Sequence, residues 1–97
     1  MKYAFHPEAR LEYRDAAAYY EAAQPGLGAA FTLEVESALD QISAAPTRWR
    51  TFEEDVRRCH ARRFPYAVLY TIESDYILII AVMHGSCEPG YWKHRIR

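Results

Sequence analysis

The run Ile77-Leu78-Ile79-Ile80-Ala81-Val82-Met83 restricts this chain's fold more than any other stretch. It falls far short of the roughly 20 apolar residues that cross a bilayer. It is bounded by Glu73-Ser74-Asp75 before it and by Gly85 after it. A short, branched, uninterrupted apolar run between turn signals reads as a strand. With no polar position to turn towards water, the strand needs cover on most of both faces, which places it inside a sheet. Residues 67–72 read as a second strand, joined to it through Glu73-Ser74-Asp75 as a hairpin.

The cover has to come from the first half of the chain. Pro7 and Glu8 suit a helix start, with proline tolerated in the first turn and an acid favoured there by the helix dipole. Tyr13, Ala16, Ala17 and Tyr20 then recur at helical spacing and make one buried stripe, with Glu12, Asp15 and Glu21 off it. Gln24-Pro25-Gly26-Leu27-Gly28 breaks this helix. A second helix carries Leu27, Phe31, Val35, Ala38, Leu39 and Ile42 to about Ala44, where Pro46 stops it. So short a connection forces the two helices into an antiparallel hairpin. Residues 2–5 make a first strand, while Trp49 and Phe52 anchor either a loop or a short strand. Residues 56–63 read as a strand, and residues 91–95 as a final helical turn or an extended segment lying across the sheet. The order β-α-α-β-β-β describes one α+β domain over residues 1–97, a helical hairpin packed on a mostly antiparallel twisted sheet.

Charge is divided unevenly along this domain. Residues 8–45 carry seven acids and two bases, whereas residues 46–97 carry nine bases and six acids. Arg57, Arg58, His60, Arg62 and Arg63 crowd one segment, and no acid falls between Val56 and Ile72. Alternation puts Arg58, His60 and Arg62 on one face of that strand and Arg57, Cys59 and Ala61 on the other. Such a surface suits an acidic partner. The amino-terminal residues lack a secretory signal and no run is long enough for a membrane, so a cytoplasmic location without membrane contact is expected. Cys59 and Cys87 are too few for a disulfide framework and are expected as free thiols. Cys59, His60, His84 and Cys87 match no standard ligand spacing, so neither a metal nor another cofactor is expected.

Several short motifs fall in a familiar order. Phe5-His6-Pro7-Glu8-Ala9, Ala16-Ala17-Ala18-Tyr19-Tyr20-Glu21, Pro25-Gly26-Leu27-Gly28 leading into Phe31, Arg63-Phe64-Pro65-Tyr66, and Ala81-Val82-Met83-His84-Gly85-Ser86 with Pro89, Trp92 and Arg95 resemble the ParE/RelE superfamily of type II toxin-antitoxin toxins. The resemblance implies a hetero-oligomer in which a cognate antitoxin wraps and blocks the toxin. It also implies one of two activities: RelE-like toxins cut mRNA on the ribosome, and ParE-like toxins inhibit DNA gyrase without being nucleases.

Cutting RNA needs a group to take the 2′-OH proton, an acid for the leaving oxygen, and cations for the charge growing on phosphorus. The resemblance offers Arg58, His60 and Tyr91 as candidate catalytic groups. Ala67, however, stands where a RelE-like toxin has an arginine after the tyrosine, and Ser86 or Cys87 stands where another follows the last strand. These departures favour the ParE-like activity, that of a binding protein and not an enzyme. The surface expected to meet antitoxin and target is Arg57, Arg58, His60, Arg62 and Arg63, together with the tail 91–97, including Trp92, Lys93 and Arg95. A degenerate relative that binds antitoxin without being toxic is the third reading.

Overall fold

The computed structural model describes residues 1–96 of the chain. Along it run β1 (Tyr3–Phe5), α1 (Pro7–Ala23), α2 (Leu27–Ala44), β2 (Thr51–Glu53), β3 (Val56–His60), β4 (Tyr66–Ile72) and β5 (Ile77–His84), closing in a short 3₁₀ helix, Lys93–Ile96. The strands form one sheet in the order β1-β5-β4-β3-β2. β1 pairs with β5 in parallel and every other pairing is antiparallel. The α+β architecture is therefore as expected, with β2 added as a short edge strand.

β5 is internal, as its apolar run requires, but it does not keep one face throughout. Tyr70 pairs with Ile79 and Leu69 with Ala81, so Ile80 is an extra residue, a β-bulge. One inserted residue inverts the facing of everything after it. Ile77, Ile79 and Val82 accordingly pack under the helices, whereas Ile80 and Ala81 pack on the opposite face. The helix-side core joins Phe31, Val35, Leu39 and Ile42 of α2 to Val68 and Tyr70 of β4. The second face, Val56, Leu69, Ile80 and Ala81, is closed by Trp92 from the tail.

Local chemistry fixes the hairpin that covers the first face. Pro7 occupies the first turn of α1, and the His6 side chain caps it, Nδ1 accepting from the Glu8 N–H at 3.1 Å. Gly26 turns the chain at φ 89°, a conformation that favours glycine. The Glu21 carboxylate then accepts the backbone N–H groups of Gly26 and Gly28, each at 3.1 Å, and so caps α2 from the neighbouring helix. A Cβ on Gly28 would lie 2.7 Å from the Ala17 carbonyl oxygen, so glycine is what lets the helices meet this closely.

The basic segment differs from the expectation. β3 ends at His60, and Arg62 and Arg63 lie in the following bend. Their backbone N–H groups donate to Glu34 Oε1 of α2, at 2.8 and 3.0 Å, so neither is left for a neighbouring strand. Arg63 Nε adds a bond to Oε2 at 3.2 Å. An acid distant in sequence thus supplies the negative charge that the segment itself lacks.

Candidate functional site

β3 divides its basic residues between two environments. Arg57 shares the helix side with buried Cys59 and donates to the carbonyls of Trp49, at 2.6 Å, and Thr47, at 3.4 Å. It therefore pins the loop before β2 and is only half-exposed. Arg58 and His60 lie on the other face with Val56. The Arg58 guanidinium sits 4.4 Å over the ring of Phe52, an exposed residue that in turn makes a T-shaped contact with Trp92. His60 is exposed beside a hollow of about 160 Å³ shared with Phe64, Pro65, Ala67 and Met83. Arg62 and Arg63 are exposed at the same end of the sheet. The basic corner that no backbone carbonyl of this chain occupies thus consists of half-exposed Arg58 with exposed His60, Arg62 and Arg63.

The tail is placed differently. β1 ends at Phe5, and the His6 N–H makes the last bond of that ladder, to Ile79 O. Beyond it the bulge turns the Val82 N–H towards an edge with no strand beside it. Backbone groups left there need other partners, and two side chains supply them. Glu12 Oε1 accepts from Val82 N–H at 3.0 Å, and Arg95 Nη1 donates to Ile80 O at 2.9 Å. The same two residues form a two-pronged ion pair, Nη1 to Oε1 at 2.8 Å and Nη2 to Oε2 at 2.9 Å. The Tyr91 hydroxyl donates to Glu12 Oε2 at 2.6 Å.

Two of the tail residues expected at a binding surface are consequently corrected. Trp92 is 1% exposed and fills the second core. The Arg95 side chain is 5% exposed and holds a strand edge. Lys93 remains half-exposed but pairs with Glu53 of β2. Arg97 lies outside the described residues.

The acid/base set is not assembled either. Tyr91 faces Glu12 at the open edge of β5, and β4 separates that strand from β3, which carries Arg58 and His60. Burial, then its bond to Glu12, pushes the Tyr91 hydroxyl well above the usual tyrosine range, which makes it a poor proton donor at neutral pH. A general acid has to reach the atom it protonates, and these three groups do not share one cleft. Cys59 and His60 point to opposite faces of β3, and among the described residues no group of histidine, cysteine and carboxylate side chains is arranged to hold a metal.

Three residues have roles here that the sequence does not signal. Glu12 was placed off the buried stripe, yet it stands one turn before Ala16 and faces the sheet edge. Glu34 lies a full helix away from the arginines it binds, and Phe52 gained its role only through pairing of β2 with β3. A second hollow, of about 340 Å³, runs between α1 and the open end of β5, past Asp15, Ala16, Tyr66, Val82 and His84, with Tyr19 70% exposed at its rim.

A family model described as the ParE toxin of the type II toxin-antitoxin system, parDE, matches residues 3–89. A solved structure, described as the chromosomal ParDE TA system from P. aeruginosa, superposes with a TM-score of 0.77 at 14% sequence identity, covering 87% of this chain and 95% of that one. Comparison with curated protein sequences gives no significant match. Among the described residues no helix is long and apolar enough to cross a membrane.

Proposed function

The chain belongs to the family of ParE toxins of type II toxin-antitoxin systems, and from this premise we propose that it arrests growth by binding a cytoplasmic target, DNA gyrase, until a cognate antitoxin neutralises it. The observation that carries this reading over ribosome-dependent cleavage is the separation of Tyr91 from Arg58 and His60. A basic corner in which Glu34 meets Arg63 but, among the described residues, the Arg58 and Arg62 guanidinium groups face no acid suits recognition of an acidic partner more than proton transfer. Arg58, His60, Arg62 and Arg63 are the residues we assign to antitoxin or target contact. A disordered, acidic antitoxin segment would fold onto this corner, its carboxylates meeting the guanidinium groups and its apolar residues the hollow beside Met83.

The test is expression alone and with the antitoxin, followed by affinity measurement on the Arg58→Glu/Arg62→Glu double variant. Expression alone should arrest growth, and co-expression of antitoxin should restore it. The charge reversals should weaken antitoxin binding by about tenfold or more, the scale of like-charge contacts in an interface. Unchanged affinity would remove the basic corner from the interface, and unimpaired growth would remove the toxin activity itself.

A further inference from the structure

The loop between α2 and β2 is tied down by side chains of the sheet. Buried Tyr70 of β4 donates its hydroxyl to Pro46 O at 2.6 Å, and Arg57 of β3 donates Nη1 to Trp49 O and Thr47 O. The Arg48 N–H closes the turn on Ala45 O at 3.1 Å. Trp49, half-buried, packs against the helix-side core. Packing explains Trp49 but not the residues on either side of it. Arg48 and Arg50 are both exposed, and among the described residues no carboxylate pairs with either. The Arg48 guanidinium sits over the Trp49 ring, 5.3 Å from its centroid, a contact that uses none of its hydrogen-bond donors. Arg57 behind them is bonded to carbonyls alone, so its charge adds to that of the loop.

We propose that this loop is a contact for single-stranded nucleic acid, in which the Arg48 and Arg50 guanidinium groups hold backbone phosphates beside Trp49. A guanidinium fork matches two phosphate oxygens at once. A loop whose backbone is already fixed loses little further freedom on binding. The cation stacked on Trp49 presents a flat surface of the kind on which an unpaired base stacks. The surroundings favour a phosphate backbone over an acidic protein. Protein interfaces are built around a buried apolar or aromatic core, and here the exposed flanks are Thr47 and Thr51. Of the large apolar side chains exposed among the described residues, Phe52 is the nearest in sequence, and it lies under the Arg58 guanidinium. A polyanion needs no such core, because neutralising phosphates supplies the affinity. The acid next in line, Glu53, is taken by Lys93. The contact is built on the loop before β2 and not on the bend after β3, so it holds whatever partner the basic corner takes.

Fluorescence anisotropy with the full chain and a labelled single-stranded oligonucleotide of about 12 nucleotides, within the usual range of single-strand site sizes, tests it. The native chain should bind at low salt. Arg48→Gln/Arg50→Gln should weaken binding about tenfold or more and lower the slope of log affinity against log salt by about one to two. Arg58→Gln/Arg62→Gln removes the same charge from the basic corner and should cost less than about threefold, since salt screens charges that do not touch the strand. Unlabelled oligonucleotide should displace the probe at a charge concentration where polyglutamate does not. Absence of binding by the native chain, a loss in the basic-corner variant as large as in the loop variant, or displacement by polyglutamate as readily as by oligonucleotide would each overturn the proposal, the last by making the partner an acidic protein.

Discussion

Replacing Glu12 by alanine should be among the most damaging single changes in this protein, although Glu12 sits on a helix face that looks solvent-bound. Its carboxylate receives the Arg95 guanidinium, the Val82 backbone N–H and the Tyr91 hydroxyl. Without it Arg95, 5% exposed at its side chain, keeps the Ile80 carbonyl as its guanidinium's one hydrogen-bond partner among the described residues, with Glu8 at 3.8 Å. Breaking one side of a buried ion pair typically costs about 3–5 kcal/mol, because a charge is stranded away from water. The Val82 N–H and Tyr91 O–H would add about 1 kcal/mol each if water does not replace the lost acceptor. Against a total stability of about 5–15 kcal/mol for a small domain, this is a large fraction. Thermal unfolding should shift down by roughly 12–40 °C for the ion pair alone, at about 4–8 °C per kcal/mol for a domain under 100 residues. The double variant Glu12→Leu/Arg95→Met removes both charges and should recover most of the loss. A cost below about 1.5 kcal/mol for Glu12→Ala, or a double variant as unstable as the single one, would refute the reasoning that these groups act as one network.

Further outcomes follow from the same geometry. Gly28→Ala should destabilise by about 1–3 kcal/mol in urea unfolding, since its Cβ would meet the Ala17 carbonyl at 2.7 Å and the Glu21 Cβ at 2.8 Å. Trp92→Ala should cost about 3–5 kcal/mol and raise binding of an apolar dye, because it uncovers Val56, Leu69 and Ala81. Glu8 and Glu34 both have carboxyl groups held below their ordinary value of 4.5, Glu8 chiefly by the His94 hydrogen bond and Glu34 chiefly by the Arg63 backbone N–H. Their stabilisation is complete above that unfolded value and disappears as pH falls through the lower folded ones. Equilibrium unfolding at graded acid pH should therefore show a decline that is smaller in the Glu8→Gln/Glu34→Gln variant.

The helical hairpin was legible because its signals are local: a proline at the first turn, a proline and a glycine at the break, and stripes repeating every three or four residues. The interior position of β5 was legible from the same kind of continuity. The bulge at Ile80 was not, because a run that is apolar at every position reads identically whether or not its faces invert midway. β2 spans three residues and exists only through pairing with β3. The basic surface was half legible. Arg58 and His60 share a face as alternation implies, but termination of β3 depended on Glu34, and the burial of Arg95 depended on Glu12, 83 residues away. Charged side chains carry no periodic signal that separates a solvated cation from one that holds a strand edge.

The central claim, a ParE-family toxin that works by binding rather than by cutting RNA, is most directly tested on purified protein freed of antitoxin. Gyrase supercoiling and mRNA integrity on programmed ribosomes would be measured side by side. The account predicts loss of supercoiling with the message intact. Cut message with normal supercoiling would contradict it, and would mean that Arg58 and His60 find their proton donor somewhere other than Tyr91.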